Sequence, residues 1–148
     1  GKCTCRPNDV IQYRHKISGP IYDRLDIQKF MSSIDIFDQP CDEEKITSND
    51  MREMVLYARK IQSKRFEKIK NIHCNSQMES NLINEYCQLN SSSMELLRNA
   101  NQSFGLSARS KNKILTLART FADMNGSANI FEEHVTSALF GRDLEKER

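Results

Sequence analysis

The sequence predicts a mainly α chain, with short helices and one strand at its N-terminal end followed by an antiparallel helical bundle. Two patterns carry that expectation. From about residue 48 onward, apolar residues recur at three- and four-residue spacing, punctuated by Ser, Asn and Gly at positions suited to helix ends. Before that point, Leu25-Asp26-Ile27-Gln28-Lys29-Phe30 alternates apolar and polar residues, the period of a strand with one buried face.

Pro7 opens a short helix that runs to Lys16, with Arg14, His15 and Lys16 at the end where the helix dipole favours positive charge. Ser18-Gly19-Pro20 then starts a single turn carrying Arg24 at its end, and the alternating hexad follows. Residues 32–47 are mixed and acidic, with Pro40, and read as a linker. Ser48 is the expected N-cap of a long helix reaching about residue 69, its face built from Met51, Met54, Val55, Ala58, Ile61, Phe66 and Ile69. Asn71–Gln77 breaks the pattern, a short helix covers about 79–87, and one of Ser91, Ser92 and Ser93 caps the next. That helix stops at Gly105. Ser107 caps the most amphipathic helix, with Ile114, Leu117, Ala118, Phe121 and Ala122 inward, and it ends at Asn125-Gly126. A final helix carries Val135, Ala138 and Leu139 before the charged tail at 142–148.

Composition narrows the function classes. The chain has 148 residues, one domain's worth or one domain plus part of another, and 38% are apolar, which suits a core divided among helices. With 22 basic and 20 acidic residues, no global field draws it to nucleic acid or to a membrane surface. No apolar run reaches the roughly 18 residues of a membrane span. The five cysteines are odd in number and scattered, which argues against a disulfide framework and for a reducing, cytoplasmic setting. The abrupt start, with no signal-peptide core, reads as a cut from something larger.

Three features are candidates for chemistry. Cys3 and Cys5 form a C-x-C pair, which supplies two of the four ligands of a structural zinc site; the alternative is two free thiols. Arg109 falls in the first turn of its helix, beside the positive dipole end, where an Arg either points to solvent or joins the free N–H groups in binding an anion. Lys60, Lys64, Arg65 and Lys68 form a basic cluster suited to phosphate contacts on DNA, although Glu67 interrupts it and a solvated helix face is the ordinary reading.

A family resemblance orders these features. Ile17-Ser18-Gly19-Pro20-Ile21-Tyr22-Asp23-Arg24-Leu25-Asp26-Ile27 is similar to the ISGPLLDRIDI segment of bacterial magnesium-chelatase-like AAA+ ATPases, the ComM/YifB group. Cys74-Asn75-Ser76-Gln77-Met78 resembles their CNAQM, and Tyr86-Cys87-Gln88-Leu89 their YCxL. Gly105-Leu106-Ser107-Ala108-Arg109, with Ile114-Leu115 and Ala118-Arg119-Thr120 beyond it, resembles GLSAR…IL..ART. The resemblance covers nearly all of the chain except about 31–47, and Tyr22 departs from the usual Leu.

The resemblance implies a C-terminal piece of such an ATPase. Residues 1–31 would end the α/β core, 32–47 would link, 48–141 would form the helical lid and 142–148 a tail. Arg24 would be the arginine finger, acting in trans on a neighbouring subunit's ATP, with Asp23 and Asp26 holding it by charge. Arg109 would be the sensor-2 residue contacting the ATP phosphates, and Cys3 and Cys5 the second of two C-x-C pairs that bind Zn2+. ATP and Mg2+ would be held mainly by Walker motifs upstream, since no G-x-x-x-x-G-K-[ST] occurs here. The expected activity of the intact protein is ATP hydrolysis in a homo-oligomeric ring, a hexamer, coupled to work on DNA of the branch-migration type, with no turnover by this piece alone. The alternatives are a helical nucleic-acid-binding module without an ATPase role and a subunit of a true magnesium chelatase.

Overall fold

Seven helices and one 3-10 turn make up the architecture among the residues that the computed structural model describes, which are 4–16, 19–22, 24–29, 31 and 46–142. Residues 32–45 of the expected linker, the charged tail beyond Arg142, Cys3, Asp23 and Phe30 lie outside them. Helices α1 (Pro7–His15) and α2 (Gly19–Tyr22) fall where the sequence puts them, and α2 is the expected single turn.

The long helix α3 (Ser48–Arg65) is capped one residue earlier than expected. Thr47 accepts from the Asp50 N–H at 3.2 Å, and Asp50 accepts from the Thr47 N–H at 2.8 Å. A residue three positions into the helix that can reciprocate favours Thr47 over Ser48. The helix also stops earlier, at Arg65. Phe66 and Ile69 still pack in the core, but from a turn that reverses the chain, with Asn71 in the left-handed region at φ 64°. The 3-10 turn Asn75–Gln77 follows, then α4 (Ser80–Tyr86).

The N-cap of α5 (Ser91–Phe104) is Asn90, not one of the serines: its side chain accepts from the Ser93 N–H at 2.8 Å. Ser93 is fully buried and donates to the Ile130 carbonyl, so it serves packing instead. Gly105 closes α5 at φ 64°, as its position predicts. Ser107 caps α6 (Ala108–Met124) by accepting from the Ser110 N–H at 3.0 Å. In α7 (Glu132–Phe140) the cap comes from inside the helix, His134 Nδ1 accepting from the Phe131 N–H at 3.0 Å.

The bundle is organised around α6. Ser110, Ile114, Ala118 and Ala122, each four residues on from the last, are all fully buried and put one stripe of α6 against its neighbours. That helix touches α3, α4, α7 and the 3-10 turn, while α5 packs on α7. Phe66, Ile83, Leu97, Ile130 and Val135 complete the core, and Phe66 meets Tyr86 edge-on with ring centroids 5.7 Å apart.

The expected strand at 25–30 does not form. No strand occurs among the described residues, and Leu25–Lys29 has irregular backbone. A strand is stabilised by a ladder with a neighbour, and this segment docks on the bundle instead. The Gln28 N–H donates to the Gly141 carbonyl at 2.6 Å, and Arg142 Nη1 donates to the Leu25 carbonyl at 2.9 Å. The docking runs through the backbone, and the apolar positions of the alternation, Leu25 and Ile27, stay exposed, so the alternation does not mark a buried face.

Candidate functional site

The first two turns of α6 and the segment after α2 meet in a cleft of about 600 Å³, whose lining includes Asp26, Glu79, Arg109, Asn112, Lys113 and Thr116. The Ser107 cap fixes the first turn, placing Arg109 two residues into the helix with its side chain exposed. Lys113, one turn further on, lies on the same side of the helix. Its Nζ donates to the Arg24 carbonyl at 3.0 Å and pairs with the Asp26 carboxylate. The Asp26 charge is therefore engaged by Lys113 and not by Arg24, contrary to the expectation that it holds the Arg24 side chain.

Arg24 is exposed. Neither its guanidinium nor that of Arg109 has a hydrogen bond or ion pair among the described residues. The fold thus brings to one side of α6 two arginines 85 residues apart in the chain, one by helical register and the other by docking of the backbone that carries it. An exposed guanidinium in the first turn of a helix, as at Arg109, suits a multiply charged anion, because its planar donors and the free N–H groups can bind the same oxygens; Arg24 does not line this cleft.

The basic cluster divides. Lys60, Lys64 and Lys68 are exposed, but Arg65 turns inward. Its guanidinium bonds to the Asp123 carboxylate through Nη1 at 2.8 Å, makes a second, short contact through Nη2, and reaches Asn75 Oδ1 at 2.9 Å. Asp123 is fully buried and also accepts from Arg119 Nε at 3.1 Å and Asn75 Nδ2 at 2.8 Å. Arg119 in turn donates to the carbonyls of Ser127 and Ala128, clamping the turn after α6. Burial alone would push the Asp123 carboxyl up, but hydrogen bonds from Arg65 and Asn75 and the charges of Arg65 and Arg119 outweigh it and hold it below the usual carboxylate range. This network ties α3, the 3-10 turn and α6 together. The only trace of it in the sequence is that Arg119 and Asp123, four apart, fall among the buried positions of α6.

Cys5 is exposed, and among the described residues no group of three or more His, Cys, Asp or Glu side chains could hold a metal ion. Cys87 is buried, with its thiol pushed up to about 11 by desolvation, and behaves as a small core residue. No helix among the described residues is long and apolar enough to cross a membrane.

The family described as magnesium chelatase, subunit ChlI C-terminal, matches residues 45–142, which includes all of α3 to α7. This chain belongs to that family. Residues 1–39 match the preceding part of the same subunit, described as magnesium chelatase, subunit ChlI. The chain is also similar to the competence protein ComM of Haemophilus influenzae, at 34% identity over 134 residues, covering 90% of this chain and 25% of the relative. YifB of Escherichia coli, itself uncharacterized, is 29% identical over 151 residues, covering 96% of this chain and 27% of its own length. The chain therefore spans about a quarter of the length of the curated relatives it matches. The resemblance read from the ISGP and GLSAR motifs holds across the chain, and the mainly α lid-like architecture agrees with it.

Proposed function

We propose that this chain is the arginine-finger and lid region of a magnesium-chelatase-like AAA+ ATPase that couples ATP hydrolysis in a ring to work on DNA. One observation carries the reading: Arg24 and Arg109 are exposed and unpartnered among the described residues, and the Arg24 backbone is docked on Lys113, one turn beyond Arg109 on α6. In this proposal Arg24 reaches the ATP of a neighbouring subunit, where a guanidinium neutralises charge growing on the transferred phosphoryl group. Such a contribution is worth about 10³–10⁵ in rate. Arg109 contacts the phosphates from the lid and makes the lid's position depend on the bound nucleotide. The phosphate cradle and Mg2+ ligands lie in the part of the relatives that this chain does not span. The two family matches meet between residues 39 and 45, which supports a core remnant at 1–31, a linker at 32–47 and a lid at 48–141.

Similarity to a competence protein supports DNA as the object of the work, and the exposed Lys60, Lys64 and Lys68 offer phosphate contacts. The same similarity favours this reading over porphyrin metallation. The scattered cysteines support a cytoplasmic setting. The test is Arg24→Ala in the full-length protein. ATP turnover should fall by about 10³-fold or more while nucleotide still binds. Unchanged turnover removes Arg24 from the role. Loss of DNA-stimulated turnover on exchanging Lys60, Lys64 and Lys68 for Glu checks the DNA reading; unchanged stimulation removes those lysines from it.

A further inference from the structure

We propose that Lys113 is a positioning residue that latches the Arg24 segment to the lid, so that movement of α6 at one nucleotide is transmitted to the guanidinium presented to another. The inference rests on the reading of Arg24 as the finger, and goes beyond it by naming the residue that sets where the finger stands.

The latch consists of contacts between residues 24–28 and the bundle. Lys113 Nζ bonds to the Arg24 carbonyl at 3.0 Å and pairs with Asp26, 87 positions away in sequence. Arg142, only 5% exposed, donates to the neighbouring Leu25 carbonyl at 2.9 Å, and the Gln28 N–H donates to Gly141 at 2.6 Å. Each contact uses the backbone of the segment or the Asp26 side chain, and none engages the Arg24 guanidinium. That is the arrangement a delivered arginine requires: the chain is fixed to the bundle from the Arg24 carbonyl onward while the side chain stays available.

Lys113 is the member of the set that joins this segment to the anion-facing part of α6. It sits one turn beyond Arg109, and both residues line the same cleft with Asp26. A shift of α6 that follows Arg109 toward a phosphate must carry Lys113 with it, because an α-helix moves as a rigid rod over one turn. The Arg24 carbonyl follows through the ammonium. Transfer rates are steep in distance, and a misplacement of about 1 Å costs about 10²-fold. A single ammonium bonded to the carbonyl of the finger residue is thus enough to tie catalysis to lid position.

The experiment uses the full-length protein, with Lys113→Met, Lys113→Arg and Lys113→Glu. Steady-state ATP turnover gives kcat and KM, and hydrogen exchange reads the Gln28 amide, which is protected only while the segment is docked. Lys113→Met should lower kcat by about 10- to 100-fold with KM for ATP unchanged, and should remove protection from Gln28 while amides of α5 and α7 keep theirs. Lys113→Arg should retain both, and Lys113→Glu, which sets an acceptor-only carboxylate against the Arg24 carbonyl, should lose both at least as fully as Lys113→Met. Asp26→Asn, a change on a side chain that is 64% exposed, should give the same two effects at smaller size without disturbing the bundle. Unchanged kcat in Lys113→Met, in a protein that Arg24→Ala inactivates, overturns the latch and leaves the finger reading standing. Lost kcat with Gln28 still protected also overturns it. Full turnover in Arg24→Ala is a different result, which removes the finger reading and the latch with it.

Discussion

Replacing Asp123 with Ala removes the one buried carboxylate on which the side chains of Arg65, Arg119 and Asn75 converge. The magnitude follows from what is left behind. Arg119, 3% exposed, keeps only the neutral carbonyls of Ser127 and Ala128 and becomes a buried charge without a counterion. Arg65, 14% exposed at its side chain, can turn toward solvent and escape the same penalty. Breaking a buried ion pair costs about 3–5 kcal/mol, and Arg65's escape places the loss near the lower end, about 3 kcal/mol. Against a total stability of about 5–15 kcal/mol this is a large fraction, and for a bundle of this size it lowers Tm by roughly 12–24 °C. Urea unfolding followed by far-UV circular dichroism should show an earlier midpoint with an unchanged slope. Arg65→Ala should cost less, because Asp123 keeps Arg119 and Asn75. A loss below about 1 kcal/mol for Asp123→Ala, the worth of an exposed pair, would falsify the claim that this network holds α3 on α6.

Other consequences can be checked on the same chain. His134 accepts from the Phe131 N–H through a bare Nδ1, so it must stay neutral; burial lowers its pKa below the ordinary 6.5, partly offset by Glu133. A group lowered in the folded state contributes stability above the unfolded pKa and loses it as pH falls through the folded one. Denaturation midpoints should therefore decline as pH drops below about 6.5, and His134→Gln should flatten that decline. Ser107→Ala removes the cap of α6 and should cost about 1 kcal/mol in urea unfolding; in the full-length protein it should also weaken ATP binding by loosening the turn that carries Arg109. Among thiols, burial pushes Cys74 up, but the Ser76 hydroxyl and the Arg59 guanidinium outweigh it and leave it below the ordinary range, whereas Cys87 is raised to about 11. Alkylation at neutral pH, mapped by mass spectrometry, should modify Cys74 and spare Cys87 until the chain unfolds.

The helices were legible because each is a local statement: an apolar period, a capping side chain and a stop. Ser107, Gly105 and the 114–118–122 stripe could be placed from the sequence for that reason. Errors of a residue at Thr47 and Asn90 came from choosing among adjacent residues that can all cap, a choice settled by which side chain finds a reciprocal partner or a buried role. Arg24 and Arg109 could be singled out from motif resemblance, while their proximity to the same side of α6 could not.

What the sequence determined by itself is the mainly α class, the order of the helices, the family and the two arginines worth testing. Only the tertiary structure decided the partners of residues far apart in the chain. It turned Arg65 inward to Asp123, gave Asp26 to Lys113, and docked Leu25–Lys29 on the end of α7 instead of in a sheet. The physical reason is the same in each case. Helical period and caps are set within one or two turns of chain, whereas a charge or a backbone carbonyl takes whichever partner the packed bundle brings to it. In this protein those partners lie 58 to 117 residues away.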